Sequence, residues 1–355
     1  MNIFENYKTK SNCEIEKSLV DNLEEYECIG KIGEGNYGIV YKIKNILNGN
    51  DYAIKIVTLS DDLLQNQEKI FFENCNCFGD GILTPIQIIQ SNDPPQIGFI
   101  MELMDGDLTN LSEILKTNDN DIKYKVFSNA CLQIRKGLEI LHSKGILHSD
   151  LKPQNILFKY GKNGKNENKF ENMTFKISDF GLSCFIINKE PSCNNKFGGT
   201  ISYMDPVNII DQTLLNRYEG DIYSLCLSFL DFGCELYNDI YITYQYTNIN
   251  YLKARARPIR SEDGLILRYD NQYFEDLYNE LKKRLSLSNN IPENMKILFS
   301  IFIEELKPFP LLNIDGIEYS TKELKTLSIL KTGKGKYRIN IYELENKLKN
   351  EFQKY

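Results

Sequence analysis

The chain has 355 residues, of which 42% are hydrophobic and 26% are charged. This composition is typical of a folded globular protein and excludes a mainly disordered chain. The formal charge of −7 gives no overall attraction to nucleic acid or anionic lipid, because such attraction needs an excess of Lys and Arg. The length allows two lobes, and an internal cleft is feasible.

The N-terminal residues and the cysteines indicate in which cellular compartment the protein is expected. The residues after Met1 read NIFENYKTKSNCEIEK, without the apolar core of a signal peptide, and nowhere does an apolar run of membrane-spanning length occur. The nine cysteines are odd in number and lack paired CxxC spacing, which favours reduced, mostly buried thiols. We therefore expect a cytoplasmic protein without a membrane span, with a nuclear location left open.

Residues 1–25 are interpreted as an N-terminal extension, and a small lobe follows. Residues 26–57 alternate apolar and polar residues around glycines and an LNGND turn, which predicts three successive antiparallel strands. The stretch DDLLQNQEKIFFENCNCF has the apolar spacing of a helix, and ILTPIQIIQ and QIGFIMEL predict two more strands. The sequence thus predicts five strands and one helix over residues 26–101.

From Leu108 onward the apolar spacing becomes helical. The stretches LTNLSEILKT and YKVFSNACLQIRKGLEILHSKG predict two helices, the second ending at Lys144 and Gly145. Residues 160–172 are polar and rich in Gly and Asn between two strand-like runs, which predicts a hairpin loop. Residues 108–355 are predicted to form a larger, mainly helical lobe.

The stretch GEGNYGIV places Gly33, Gly35 and Gly38 on a strand–turn–strand. Backbone without side chains can lie close to a triphosphate and donate N–H groups to it, and Val40 would then cover the base. By itself this pattern is weak evidence, since glycines are common in hairpin turns. No helix follows the glycines, which argues against a Rossmann dinucleotide site.

Lys55 lies in the strand YAIKIV on the same face as the apolar Ala53 and Val57. A cation among apolar side chains requires anionic partners, because burying an unpaired charge is costly. Nucleotide phosphates and a carboxylate on the following helix would supply them.

Two glutamates of that helix are candidates for the carboxylate. Glu68 is followed three and four residues later by Phe71 and Phe72, which places it on a core-facing side of the helix. Glu73 is followed at the same positions by asparagine and cysteine. The apolar spacing favours Glu68, with Glu73 as the alternative.

The stretch DLKPQN puts Asp150 and Asn155 five residues apart with Lys152 between them. Phosphoryl transfer to a hydroxyl needs a proton acceptor, a lysine near the transferring group and oxygen ligands for a metal ion. FKISDFGLS adds Asp179 after a predicted strand, as a candidate ligand for Mg²⁺ that bridges the β- and γ-phosphates. His148 is one of two histidines in the chain and is interpreted as a packed core residue rather than a base.

The ordered set GEGNYGIV, AIK, HSDLKPQN, DFG, GGTISYMDP and DIYSL resembles a eukaryotic-type protein kinase over about residues 26–350. The resemblance implies an α+β fold of two lobes, one a small antiparallel sheet with one helix and the other mainly helical. It implies ATP and Mg²⁺ as cofactors. Lys152, two positions after Asp150, resembles the serine/threonine type, so the implied partner is a protein with a Ser or Thr acceptor.

The resemblance also assigns roles to single residues. Asp221 of DIYSL would anchor the backbone of the catalytic loop, and the Thr200 hydroxyl would bond near the base and the lysine. The reaction itself would depend on Asp150 as base, Lys152 on the γ-phosphate, Lys55 on the α- and β-phosphates, and Asn155 and Asp179 on Mg²⁺.

The segment FIMELMDGDL resembles a kinase hinge, so residues 102–107 would join the lobes. Met101 would be the gatekeeper, the backbone of Glu102 and Met104 would face the adenine, and Asp107 would bind the ribose. The remaining nucleotide contacts that the resemblance implies are Ile32, Gly33, Glu34, Gly35, Asn36, Tyr37, Gly38, Val40, Ala53 and Leu157.

Three features depart from the family pattern. Ser149 stands where many relatives have an arginine that pairs with a phosphorylated activation loop, and Val207 replaces the glutamate of the APE motif. That glutamate normally pairs with a late buried arginine, for which Arg338 is the candidate. Asp205 is a possible partner for Arg338 here, and the sequence leaves the choice open. The long gap before Arg338 predicts an insertion at about residues 240–330.

These departures leave two functions in competition. The first is an active serine/threonine kinase that does not require activation-loop phosphorylation, because Ser149 has no charge with which to bind a phosphate. The second is a pseudokinase that acts as an ATP-binding or scaffolding module. A small-molecule kinase fits GEGNYGIV and GGT poorly. The sequence predicts no nucleic-acid partner and leaves the oligomeric state open.

Overall fold

The structure is a computed structural model that describes residues 23–35, 38–59, 67–75, 79–92, 95–161, 169–187, 190–191, 199–205, 218–239, 258–260, 266–269, 272–306 and 341–352. Contacts divide the chain into two units. The first comprises Met1–Phe78, Leu83–Asp105 and Ser178–Gly181, and the second comprises Gly79–Ile82, Gly106–Ile177 and Leu182–Tyr355. The DFG motif thus belongs to the first unit, although it lies far along the chain.

The first unit is built on a five-stranded antiparallel sheet with the strand order β1-β2-β3-β5-β4. In the described part of this unit one helix, α1, accompanies the sheet, as the sequence predicts. The bounds are β1 Tyr26–Gly35, β2 Gly38–Asn45, β3 Asp51–Thr58, α1 Gln67–Cys75, β4 Pro85–Asn92 and β5 Pro95–Glu102.

The register of this sheet separates its two faces. Val40, Lys55 and Phe99 lie opposite one another on neighbouring strands, so they share one face. Tyr41, Ile54 and Ile100 are the next residues along the same three strands, so they share the other face. We call these the Lys55 face and the opposite face.

Aromatic side chains attach α1 to the first unit. Phe71 stacks on Phe180 of the DFG motif with ring centroids 4.4 Å apart and planes 5° apart. Phe72 lies with its centroid 5.5 Å from Phe180 and 5.6 Å from Phe99. Because Phe99 belongs to the Lys55 face, α1 packs on that side of the sheet. Stacked and edge-on aromatic pairs add about 0.5–1.5 kcal/mol each beyond area burial.

The second unit is mainly helical, and short strands frame its loops. Its described elements are β6 Gly106–Asp107, α2 Leu108–Leu115, α3 Asn120–Ser143, β7 Ile146–Leu147, β8 Ile156–Lys159, β9 Thr174–Ile177, β10 Cys184–Ile187, β11 Glu190–Pro191, α4 Tyr218–Leu236, β12 Pro258–Arg260, β13 Ile266–Tyr269, α5 Gln272–Leu287, α6 Glu293–Glu305 and α7 Ile341–Phe352. The predicted helices α2 and α3 and the β8–β9 hairpin are confirmed.

The core of the second unit surrounds α4, which is buried on nearly all sides. The ring of Phe127 on α3 lies 5.8 Å from Phe232 on α4 and 5.5 Å from Phe299 on α6, measured between centroids. A Cβ on Gly233 would come within 2.3 Å of the Phe299 ring, so close packing of α4 on α6 requires glycine there. This rigid helix presents Asp221 in its first turn.

The ends of α2 and α3 have regular caps, and the predicted end of α3 is confirmed. Helix α3 ends at the cap residue Lys144, and Gly145 follows with φ 71°, the left-handed conformation that glycine adopts without strain. Helix α2 begins with a capping box in which Asp107 accepts the Asn110 N–H at 2.9 Å and Asn110 accepts the Asp107 N–H at 3.1 Å.

The predicted α+β class, a small antiparallel sheet with one helix and a larger mainly helical part, is confirmed. Val207, Arg338 and most of the predicted insertion at 240–330 lie outside the described residues. Four cysteines, Cys75, Cys131, Cys226 and Cys234, are free and buried, as predicted for them. Cys28 and Cys184 are disulfide-bonded, so the prediction of reduced thiols is wrong for these two. Within the described segments, no helix has the length and apolar character to cross a membrane.

Candidate active site

Two carboxylates lie at the ammonium group of Lys55, those of the predicted partner Glu68 and of Asp179, which the sequence analysis had not paired with it. We call the three residues the lysine cluster. Lys55 Nζ donates to Glu68 Oε2 at 2.7 Å and to Asp179 Oδ1 at 2.8 Å. The Lys55 side chain is 12% exposed and that of Glu68 6%. Strand β3 supplies the lysine and the first turn of α1 supplies Glu68.

Electrostatics within the lysine cluster favour the ion pair. Burial alone would lower the pKa of Lys55, but the carboxylates of Glu68 and Asp179 raise it well above its ordinary value. Burial raises the pKa of Glu68, which Lys55 and the backbone N–H of Phe180 oppose only in part. Lys55 is therefore held as a cation, and Glu68 depends on it for its charge.

The choice between the two helix glutamates is decided by these contacts. Glu73 is 52% exposed, and its carboxylate lies 3.6 Å from Lys69 Nζ on the surface of α1. Glu68 is therefore the partner of Lys55, as its apolar spacing indicated.

Asp179 is held in a conformation that is unusual for its residue type. Its φ is 64°, in the left-handed region that non-glycine residues seldom adopt. Such strain of about 1–3 kcal/mol persists where the surroundings impose it and is concentrated at functional sites. Here the imposing contacts are the salt bridge to Lys55 and the aromatic stack at the next residue, Phe180.

The three motif glycines meet different structural requirements. A Cβ on Gly38, whose φ is 142°, would lie 2.3 Å from the Ile56 carbonyl oxygen, so the turn itself requires glycine. A Cβ on Gly33 would make ordinary contact with Val40 at 3.8 Å, and one on Gly35 would meet no atom within 4 Å. The fold therefore leaves Gly33 and Gly35 unexplained, while Asn36 and Tyr37 lie outside the described residues.

The other predicted nucleotide contacts divide between the units. On the Lys55 face, Ala53 is buried and lies opposite Met101, while Val40 lies opposite Lys55. Ile32 is 52% exposed, and Glu34 forms a surface ion pair with Lys31. Glu102 and Met104 are half-buried in the first unit.

Two predicted nucleotide contacts belong to the second unit instead. Leu157 and Asp107 are register partners on β8 and β6. Asp107 also caps α2 through its side chain, a structural role that the sequence analysis did not foresee.

A second group of predicted residues surrounds Asp150, and we call it the aspartate cluster. Asp150 Oδ2 accepts from Lys152 Nζ at 2.9 Å and from Asn155 Nδ2 at 3.1 Å, and Oδ1 accepts the Thr200 N–H at 2.7 Å. Lys152 Nζ also donates to Thr200 Oγ1 at 2.8 Å. The carboxylate of Asp150 is therefore fixed by three donors, and the residues that the sequence grouped do lie together.

Asp221 fixes the backbone of the loop that carries Asp150. Its two carboxylate oxygens accept the N–H groups of His148 and Ser149, both at 2.9 Å. Burial would raise the pKa of Asp221, but the hydrogen bond from His142 and its charge outweigh this and lower it. Ser149 has φ 68°, a strained conformation that these two bonds hold. His148 is fully buried, in agreement with the predicted core role.

Two residues of this arrangement were missed by the sequence analysis. His142 Nε2 lies 2.9 Å from Asp221 Oδ2, and its rarity in the chain was the available signal. Gly199 has φ 114°, and a Cβ there would lie 2.7 Å from the Ser149 carbonyl oxygen. Glycine thus allows the segment before Thr200 to approach the loop closely.

The donor atoms of both clusters suit a hard cation. Asp179 offers a carboxylate, and the amide nitrogen of Asn155 is directed at Asp150, which turns its oxygen away. In the parts of the chain that the structure covers, no group of three or more His, Cys, Asp or Glu residues forms a metal site. Each of the two residues is by itself an oxygen donor of the kind that Mg²⁺ accepts, since Mg²⁺ in proteins takes most of its ligands from phosphates and water.

Comparisons with known proteins agree with this geometry. The probable serine/threonine-protein kinase fhkB of Dictyostelium discoideum is 33% identical over 214 residues, which cover 57% of this chain and 17% of the relative. Mitogen-activated protein kinase kinase 9 of Arabidopsis thaliana is 30% identical over 223 residues, covering 58% of this chain and 62% of the relative. The chain thus spans less than two thirds of either relative.

A family model gives the broader assignment. The model described as the protein kinase domain matches residues 26–260, which is more than half of the chain. The match contains both the lysine cluster and the aspartate cluster. The chain therefore belongs to the protein kinase family.

Proposed function

We propose that the protein is an ATP- and Mg²⁺-dependent protein serine/threonine kinase that transfers the γ-phosphate to Ser or Thr hydroxyls of protein substrates. The observation that carries the proposal is the Asp150 carboxylate, buried and bonded to Lys152, Asn155 and Thr200. The names of the relatives, which include serine/threonine kinases, support the acceptor class. Transfer of labelled γ-phosphate to a Ser/Thr peptide tests it.

The residues present fit ATP and Mg²⁺. Asp179 and Asn155, each in its own unit, are candidate metal ligands, and Lys55 is a candidate for the α- and β-phosphates. Gly33 and Gly35 leave the open backbone that phosphates require, which would explain why glycine stands where the fold does not need it. When bound, Mg²⁺ supplies neutralising charge to the phosphates.

The chain's own part in the reaction would be orientation and charge. Asp150 would accept the proton of the substrate hydroxyl, for which its position must be fixed. Lys152, held by Asp150 and by the Thr200 hydroxyl, would place a positive charge at the transferring group. Because both oxygens of Asp150 are already bonded, little reorganisation would precede the transfer.

Thr200→Ala is expected to lower kcat by about tenfold or more while the KM for ATP stays near wild type, because it removes one charge-assisted bond to Lys152. Steady-state kinetics at varied ATP measure both constants. Ser202→Ala, in the next turn of the same segment, is the control and should leave both unchanged. An unaltered kcat for Thr200→Ala would contradict the role assigned to the hydroxyl.

Glu68→Gln is expected to lower kcat/KM for ATP by about 10- to 100-fold, because Lys55 loses a charged partner whose bond is worth about 1.5–3 kcal/mol. Glu73→Gln is the matched control on the same helix, and it should lose less than about twofold, since exposed pairs contribute little. Equal losses in the two variants would contradict the assignment of Glu68.

We further propose that activity does not require activation-loop phosphorylation. Ser149 carries no charge with which to bind a phosphate, and Asp221 holds the backbone of the loop that carries Asp150. The stack of Phe71 on Phe180 would likewise hold α1 and the lysine cluster in place. Treatment with a phosphatase is expected to leave kcat unchanged. Loss of activity through Ser183, Ser192 or Ser202 would contradict this, and Ser183 is already buried.

The alternative is a pseudokinase that binds ATP or acts as a scaffold, and the uncharged Ser149 motivates it. It predicts ATP binding without phosphoryl transfer. The complete charged sets around Lys55 and Asp150 favour the enzyme. A cytoplasmic location is part of the proposal.

A further inference from the structure

The opposite face of the first unit's sheet is apolar and deeply buried. Its side chains at the centre of the sheet have exposed fractions of 0% for Ile43, Ile54 and Ile100, 3% for Tyr41 and 6% for Ile89. A sheet face that carries large aliphatic side chains with no exposure must be covered by other atoms.

The described elements of the first unit do not supply this cover. Helix α1 packs on the Lys55 face, as the contact of Phe72 with Phe99 shows. In the described part of the unit, the residue outside the sheet that belongs to this buried cluster is Leu23, which is 5% exposed and shares the cluster with Tyr41, Ile54 and Ile100. The chain therefore reaches the opposite face at Leu23, immediately before β1.

Among the stretches of this unit outside the described residues, one is long enough to cover the opposite face. Residues 36–37, 76–78 and 93–94 are too short, and residues 60–66 lead from β3 into α1 on the Lys55 face. Residues 1–22 lead directly into Leu23. Ile15, Leu19 and Leu23 are spaced by four residues, the spacing that aligns side chains along one side of a helix.

We propose that residues 1–22 dock on the opposite face of the sheet in the same chain, with Ile15 and Leu19 continuing the contact that Leu23 begins. The extension is then an integral part of the unit that carries Lys55. The docking surface consists of Tyr41, Ile43, Ile54, Ile56, Ile89 and Ile100.

Limited proteolysis of the unaltered full chain tests the docking. Trypsin is expected to cleave after Lys17 at least about tenfold more slowly in the native protein than in a synthetic peptide of residues 1–25, because a docked segment must first detach. Mass spectrometry of the timed digest measures the rate. Cleavage after Lys17 at the rate of the free peptide would overturn the proposal.

A pair of variants separates docking from other covers of the face. Leu19→Asp is expected to lower Tm by about 5 °C or more and to induce binding of an apolar dye, since a charge would enter the apolar contact. Ser18→Asp makes the same change in charge one residue earlier and should behave as wild type. If Leu19→Asp does not fold, Leu19→Ala with the same readouts replaces it.

A cover of the opposite face other than residues 1–22 would give a different result in these experiments. If a second copy of the chain covered the face, Leu19→Asp and Ser18→Asp would have the same Tm, and sedimentation would show a dimer that dissociates as the dye binds. That result would overturn docking in the same chain. Neither the digest nor the Tm comparison depends on kinase activity, so failure of the proposed function would leave this inference standing.

Discussion

Asp150→Asn is expected to reduce phosphoryl transfer by about 10²- to 10⁴-fold, the usual effect of removing a positioned general base. The carboxylate of Asp150 is bonded to Lys152 Nζ at 2.9 Å and to the Thr200 N–H at 2.7 Å. An amide of the same shape keeps one acceptor oxygen but has no charge and a much weaker tendency to accept a proton. The defect should therefore lie in kcat.

ATP binding by Asp150→Asn should stay close to that of wild type, because the lysine cluster belongs to the other unit and is untouched. Asp121→Asn, an exposed carboxylate at the start of α3, is the charge-matched control and should retain full activity. Calorimetric ATP titration and steady-state rates separate the two effects. Wild-type kcat in Asp150→Asn would contradict the role of Asp150.

Asp221→Asn is expected to lower Tm by about 6–20 °C and to reduce kcat strongly. Asp221 is buried and accepts the N–H groups of His148 and Ser149. Removing the charged member of such a buried set lowers the free energy of unfolding by about 3–5 kcal/mol. In domains of this size, each loss of about 1 kcal/mol lowers Tm by about 2–4 °C. The value of kcat should fall because the loop that carries Asp150 loses the carboxylate that holds its backbone.

The direction in which the pKa of Asp221 is shifted predicts how the loss of Tm in Asp221→Asn depends on pH. The pKa of Asp221 lies below its ordinary value of 3.8, so its stabilising contribution is present above that pH and is lost as the pH falls through the lowered pKa. The difference in Tm between wild type and Asp221→Asn should be full at neutral pH and should narrow in strong acid.

Glu219→Gln, in the same first turn of α4, is the matched control for Asp221→Asn and should change Tm little. Scanning calorimetry from neutral to acidic pH measures the difference. A constant difference in Tm at all pH values, or an equal loss in the control, would contradict the account of Asp221 as a charged anchor.

Local sequence signals predicted the elements and the charged sets well. Alternation identified the five strands, and the phenylalanines after Glu68 identified the partner of Lys55. The spacing of Asp150, Lys152 and Asn155 was sufficient because the three lie in one loop, where distance along the chain limits distance in space.

Contacts between distant parts of the chain were predicted less completely. His142 and Asp221 are 79 residues apart, and Gly199 approaches the carbonyl of Ser149 from another segment, so no periodicity relates them. The stacking of Phe71 on Phe180 likewise depends on tertiary packing. Asp107 shows a different limit, since its capping bond was readable from the sequence but the hinge resemblance directed attention to the ribose.

The central claim is that this protein kinase transfers phosphate. The most direct test incubates the full chain with γ-labelled ATP, Mg²⁺ and a Ser/Thr acceptor peptide, beside Asp150→Ala and Asp179→Ala as inactive controls. The account predicts label on Ser or Thr of the peptide with the wild type and loss of that label in both variants. Tight ATP binding by the wild type with no more transfer than the two variants show would contradict it and would favour the scaffold.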